Sequence, residues 1–219
     1  MATGPLPAAR PARAARQALA ELLDERGPGH PTLCAGWTNH DLAAHLVTRE
    51  RVPWAAPGLV ISRLHGLTER AERATMRAHS YPELVEIFRA GPPWWQPTRF
   101  GPIDDATNLI EFFVHAEDIR RAGVDEVPRE LDAATRDGMW VALRLVGLAG
   151  FRRAGVGVVA ERVDRPGRRT LRAGSPAVEI VGLPEEIVLY AFGRRAVAQV
   201  ELRGDGAEVE RLREAPVGL

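Results

Sequence analysis

Asn108-Leu109-Ile110-Glu111-Phe112-Phe113-Val114-His115-Ala116-Glu117-Asp118-Ile119 lies near the middle of the chain and reads as a helix that is apolar around most of its circumference. Glu111, His115 and Asp118 follow one another at spacings of four and three, so they share one side of that helix. At about 100° per residue the polar strip is narrow. Ile110 and Val114 border it on one side, Phe112 and Ile119 on the other. A strip of charge edged by large apolar groups suits a half-buried cleft better than open solvent. A carboxylate and an imidazole one turn apart can hold a metal ion from a single helix. The same spacing also arises on the solvent face of ordinary amphipathic helices, so alone it does not establish a site.

Outward from this stretch the chain reads as helices. The central helix is expected over 104–121. Asp104 and Asp105 suit its positive end, Arg120 and Arg121 its negative end, and Gly123 stops it. Upstream, Pro92, Pro93 and Pro97 preclude regular helix. The pair Trp94-Trp95 within that loop is expected to plug it onto the helices, with the wall of a ligand pocket as the alternative. Ser80-Tyr81-Pro82-Glu83 opens a helix that ends near Ala90-Gly91. Pro53, Pro57 and Gly58 mark a break, followed by a mostly helical stretch over 59–79. Thr38 caps a helix through Leu42, His45 and Val47, with Asp41 placed to return the capping bond. A first helix spans about 8–25 and is ended by Gly27-Pro28-Gly29.

Downstream, a helix over about 128–148 is followed by a change of texture after Gly150. Strands are expected at Val156–Val159, Arg168–Arg172, Ala177–Val181 and Ala196–Leu202, with short helices at 184–192 and 207–213. The organisation expected is an all-helical part, 1–150, and a small α/β part, 151–219.

Composition narrows the function. With 219 residues, 45% hydrophobic and 26% charged, the chain has the make-up of an ordinary globular protein. Twenty-nine acidic residues balance 29 basic ones, which gives no reason to expect nucleic acid or an anionic membrane as partner. Every basic residue is arginine, which excludes a catalytic lysine. One cysteine, Cys34, excludes an internal disulfide and any multi-cysteine zinc site. It lies between Leu33 and Ala35 without a basic neighbour in sequence, as a buried structural thiol would. No stretch suits a membrane span, and Met1–Arg16 lacks the apolar core of a secretory signal, so a cytoplasmic protein is expected. The glycine-containing segments match no Walker loop, dinucleotide fingerprint or serine-hydrolase elbow.

A metal held by Glu111 and His115 needs a further ligand. His30 lies in a Gly-Pro loop and His40 in the first turn of its helix; His65 and His79 fall in the less clearly patterned region. His45 alone is both deep in a helix and set among apolar residues. A lone histidine in such a place is also commonly a hydrogen-bonded structural residue, and helix spacing does not choose between these readings.

The segment Cys34-Ala35-Gly36-Trp37-Thr38-Asn39-His40-Asp41-Leu42-Ala43-Ala44-His45-Leu46 resembles the G-W-T-x-x-D-L-x-x-H-L signature of the DinB-like superfamily. The branch it is most similar to is that of the mycothiol-dependent maleylpyruvate isomerases. Glu111 to Asp118 resembles that branch's second signature, E-x-x-x-H-x-x-D. Val181-Gly182-Leu183-Pro184 through Phe192-Gly193-Arg194, with the later Gly204-Asp205 turn, is similar to its C-terminal region. The resemblance implies an N-terminal DinB-like up-down four-helix bundle and a small C-terminal α/β domain of the sterol-carrier-like type. It further implies a divalent metal, usually zinc, held by His45, Glu111 and His115.

Two histidines and one carboxylate leave a coordination position open, as in catalytic rather than structural zinc sites. The function expected is a metal-dependent thiol transferase or isomerase that uses a low-molecular-weight thiol, mycothiol or a relative, on a small electrophile. Asp118 is expected either to orient His115 or to pair with Arg120 or Arg121. The alternatives are a thiol-independent metal-dependent hydrolase and a non-enzymatic, metal-stabilised binding module. Both a monomer and a homodimer are compatible with this organisation.

Overall fold

A computed structural model of the chain describes residues 11–52, 65–96, 101–123 and 127–218, with backbone alone for residues 65 and 101–107. The chain divides into two compact units, Met1–Glu126 and Val127–Leu219. The first holds α1 (Pro11–Arg26), α2 (Asn39–Arg51), α3 (His65–Ala78), α4 (Tyr81–Ala90) and α5 (Gly101–Arg120). The second holds α6 (Ala133–Gly150), β1 (Gly157–Arg162), β2 (Arg168–Arg172), β3 (Ala177–Gly182), α7 (Pro184–Ala191), β4 (Val200–Arg203) and α8 (Gly206–Glu214). The expected break at Pro53, Pro57 and Gly58 lies outside the described residues, as does the start of the stretch over 59–79.

In the first unit α1 packs on α5, α4 and α2, and α2 packs on α3 and α4. Their apolar stripes meet in a core that includes Leu19, Leu23, Leu42, Leu46, Leu84 and Phe112. Phe88 meets Phe112 edge to face at 5.3 Å. One charged pair crosses this core: Arg16 and Glu50, each 4% exposed, lie 2.6 Å apart. The Arg16 guanidinium also covers the rings of Phe88 and Phe112 and donates to the Phe88 carbonyl at 3.0 Å. The charge is therefore buried against an opposite charge and two aromatic rings, and it ties four helices together.

Capping sets the entry of α2. The Thr38 N–H and hydroxyl both donate to Asp41 Oδ2, at 2.9 and 2.7 Å. Ser80 does the same with Glu83 at the start of α4, at 2.7 and 2.6 Å. The loop before α2 is anchored to the far end of α5, where the Leu33 N–H donates to the Asp118 carbonyl at 3.0 Å. That bond fixes where α2 lies against α5.

The second unit contains a mixed sheet of order β2-β1-β3-β4, with β1 and β3 parallel and both edge strands antiparallel. α6 packs on α7 and β2. It approaches α7 so closely that a Cβ at Gly150 would stand 2.3 Å from the Ala191 carbonyl oxygen. The sequence division near residue 150 grouped α6 with the preceding helices, whereas α6 packs with the sheet. Its start also differs: Asp132 accepts from the Thr135 N–H at 2.8 Å, so the helix begins at Ala133 rather than near Pro128. β4 is shorter than expected. The Ala198 N–H bonds back to the Arg194 carbonyl at 3.0 Å, which turns the chain until Val200.

Candidate metal centre

Three helices of the first unit contribute to one polar cluster. α5 presents Glu111, His115 and Asp118 at helical spacing. α2 presents His45 and, one turn on, Arg49. α3 presents Glu72. The rings of His45 and His115 lie 5.4 Å apart, tilted at 69°, and the Trp37 ring backs His45 at 5.2 Å. His115 Nε2 is 3.6 Å from Glu111 Oε2. Arg49 stands 3.9 Å from Glu111 Oε1 and donates to Asn108 Oδ1 at 2.6 Å. The His115 side chain is 9% exposed, His45 12% and Glu111 27%, so His115 is buried and the other two are partly buried.

Both imidazoles are held in the same way. His45 Nδ1 lies 2.7 Å from Glu72 Oε1, and His115 Nδ1 lies 3.1 Å from Asp118 Oδ2. A carboxylate at Nδ1 fixes a proton there and leaves the lone pair on Nε2, the tautomer a metal-binding histidine needs. Asp118 is fully buried. Arg121 and Arg120 pair with Glu117, at 2.6 and 3.8 Å. Of the two roles expected for Asp118, its bond to His115 is the one this geometry displays.

Charge is distributed unevenly. Burial, the largest influence on His45, pulls its pKa below the ordinary value despite the bond to Glu72. Burial acts on His115 too, but its bonds to Asp118 and Glu111 and their charges outweigh it and raise the pKa. Glu111 is pushed upward by burial and downward by His115, Arg49 and His45, which together hold it at about 2. The cluster thus holds an ionised Glu111 facing His115, with a neutral His45 beside them.

His45, Glu111 and His115 are therefore neighbours. The donor set also fits a divalent ion: two imidazoles whose Nδ1 faces a carboxylate, so that Nε2 is the ligating atom once His115 gives up its proton, and one ionised carboxylate. Two ligands about 2.0–2.1 Å from a tetrahedral ion stand roughly 3.3 Å apart, close to the 3.6 Å between His115 and Glu111. Among the described residues, however, no set of three or more His, Cys, Asp or Glu side chains already has its donor atoms gathered as a metal cage.

Two of the competing histidines have other partners. His40 meets Tyr81 edge-on at 5.7 Å, and His30 Nδ1 bonds the Pro31 carbonyl at 2.7 Å. His79 lies just beyond the end of α3, and the His65 side chain is not described. Two expectations are corrected. Cys34 is only partly buried, and its thiol donates to Asp118 Oδ2 at 3.5 Å, extending the chain that ends on His115. Trp94 is 81% exposed and Trp95 45%, so neither is the expected hydrophobic plug. Sequence reasoning missed Glu72. It meets His45 only through the packing of α3 on α2, and no local spacing encodes that.

A family model, the mycothiol maleylpyruvate isomerase N-terminal domain, matches residues 9–155, which takes in every helix of this cluster. The match runs past α6 and so ends near the division drawn from sequence. No curated protein and no solved structure matches the chain. With two thirds of its length covered by that model, and with the paired histidines and carboxylates set on the helices the model spans, the chain belongs to the mycothiol maleylpyruvate isomerase N-terminal domain family.

Proposed function

We propose that the first helices form the up-down four-helix bundle of the DinB-like superfamily, followed after about residue 150 by a small sterol-carrier-like α/β domain. α6 then closes the bundle domain in sequence while packing with the sheet. In this bundle His45, Glu111 and His115 hold a divalent metal, with zinc first in line. The protein acts as a cytoplasmic metal-dependent enzyme that uses a low-molecular-weight thiol of the mycothiol type. It transfers that thiol to a small electrophile or isomerises one through it. The observation that carries the reading is the matched pair of Nδ1–carboxylate bonds, Glu72 on His45 and Asp118 on His115, beside an ionised Glu111.

When bound, the metal would lower the pKa of a thiol and so supply a nucleophile near neutral pH. The chain's own residues do the rest. Glu72 and Asp118 keep both imidazoles in the ligating tautomer. Arg49 lies beside Glu111 and holds it ionised. Trp37 backs the His45 ring and limits water on that side.

The test is metal content of the purified protein alongside the His45→Ala and Glu111→Gln variants. It is paired with turnover of small electrophiles with and without added thiol. The expected result is near-stoichiometric metal in the parent, loss of most of it in both variants, and turnover that requires thiol. Full occupancy in both variants overturns the ligand set. Turnover of esters or amides without thiol replaces thiol transfer by hydrolysis.

A further inference from the structure

The second unit contains a cavity that the metal cluster does not use. Its volume is about 320 Å³, at the small end of ligand sites and room for about ten water-sized atoms. Its lining includes the apolar Ala198, Val200 and Leu202 together with Tyr190, Arg195 and Arg213. Tyr190 is 4% exposed, and its ring is stacked against Phe151 at 6.2 Å. Its hydroxyl is buried and has no hydrogen-bond partner among the described residues. A buried hydroxyl left unpaired opposes folding, so this group, on a residue that lines the cavity and within electrostatic reach of Arg195 and Arg213, calls for an acceptor.

The two arginines define the sign of that acceptor. Arg195 is fixed by bonds from Nη1 to the carbonyls of Arg213 and Ala215. Arg213 pairs with Glu210 at 3.3 Å but stays 59% exposed. Both guanidinium groups act electrostatically on the Tyr190 phenol, yet burial is the stronger influence and raises its pKa, so it stays a neutral donor. We propose that this cavity binds a small amphipathic carboxylate. Its head is taken by the Tyr190 hydroxyl and the guanidinium groups of Arg195 and Arg213, and its apolar body lies against Ala198, Val200 and Leu202. A cation of the same shape is repelled by the two arginines. A neutral alcohol gains nothing from them.

Calorimetric titration of the full chain with octanoate tests this, with octylammonium and octan-1-ol as controls. The expected result is saturable one-site binding of octanoate, at least tenfold tighter than either control. Tyr190→Phe weakens it about tenfold, the usual effect of losing a hydrogen bond to a charged group. Arg213→Gln weakens it about threefold and flattens its salt dependence. Binding survives chelator treatment and the His115→Ala substitution, since it does not involve the metal cluster. Without ligand, Tyr190→Phe unfolds at a temperature equal to or above the parent's, because it deletes only an unpartnered hydroxyl. Non-saturable binding, equal affinity for octan-1-ol, or loss of binding in His115→Ala overturns the proposal. So does a clear fall in the melting temperature of Tyr190→Phe, which reveals a partner for the hydroxyl.

Discussion

At the scale of single residues, the two histidines of the cluster carry opposite pKa shifts, and this has measurable consequences. His115 is raised above its unfolded value and His45 is lowered. In the metal-free protein, His115 therefore adds stability below its unfolded pKa of about 6.5 and loses it as pH rises through its higher folded value. His45 does the reverse. It is harmless above about pH 6.5 and opposes folding as pH falls toward its lower folded pKa. Glu111, held at about 2, contributes stability above the usual carboxylate range and loses it as pH falls toward 2. Imidazole NMR of the metal-free chain should show His115 titrating above pH 6.5 and His45 below it. Added metal should abolish both titrations. The opposite order would mean that burial does not dominate at His45 and that the neighbouring carboxylates do not outweigh it at His115. Glu72 gives a second test. Glu72→Ala should lower metal affinity about tenfold to a hundredfold, with little effect on helix content measured by circular dichroism. Glu72→Gln, which still accepts from His45 Nδ1, should recover part of that affinity. Equal loss in both variants would assign Glu72 a charge role rather than a positioning one.

At the scale of elements, the parts visible in the sequence were those encoded locally. Thr38 with Asp41 and Ser80 with Glu83 announce two helix starts through residues three apart, and both form. Glu111 and His115 share a helix face because spacing alone dictates it. The contacts between helices were not readable. Glu72 reaches His45 only because α3 lies on α2, and Cys34 reaches Asp118 only because Leu33 is tied to the end of α5. The place of α6 was hidden for the same reason. Its sequence reads as one more amphipathic helix, yet Gly147 and Gly150 let it sit against Leu171 and Ala191 of the second unit, where a Cβ would meet atoms at 2.9 and 2.3 Å. These two glycines predict their own test. Gly150→Ala should destabilise the protein by about 1–3 kcal/mol through overpacking, since the contact is backbone and cannot rotate away. At Gly147 the obstacle is a leucine side chain, so Gly147→Ala should cost less. Denaturant unfolding of both variants checks the order, and an equal or inverted cost would place α6 elsewhere.

At the scale of the whole molecule, the polar cluster and the cavity lie in different compact units, so ligands should stabilise them separately. A ligand bound to the native state alone adds RT ln(1 + [L]/Kd), about 2.7 kcal/mol at a hundredfold excess over Kd. Metal acts on α2, α3 and α5, the helices that carry His45, Glu72, Glu111 and His115. These helices share one core, so slower opening should extend through α1 and α4. The sheet and α6 to α8 contribute none of those residues. Hydrogen exchange followed by mass spectrometry, with and without zinc, should therefore show new protection in Asn39–Arg51, His65–Ala78 and Gly101–Arg120, with β1, β3 and α7 unchanged. Octanoate should give the complementary pattern, protecting Pro184–Ala191 and Val200–Arg203 and leaving α2 and α5 as they were. The two patterns together decide more than either alone. Zinc protection that appears in the sheet would mean that the units unfold as one, and the separate assignment of metal and carboxylate would then have to rest on the variants. Protection confined to the expected helices in each case ties each chemistry to its own unit.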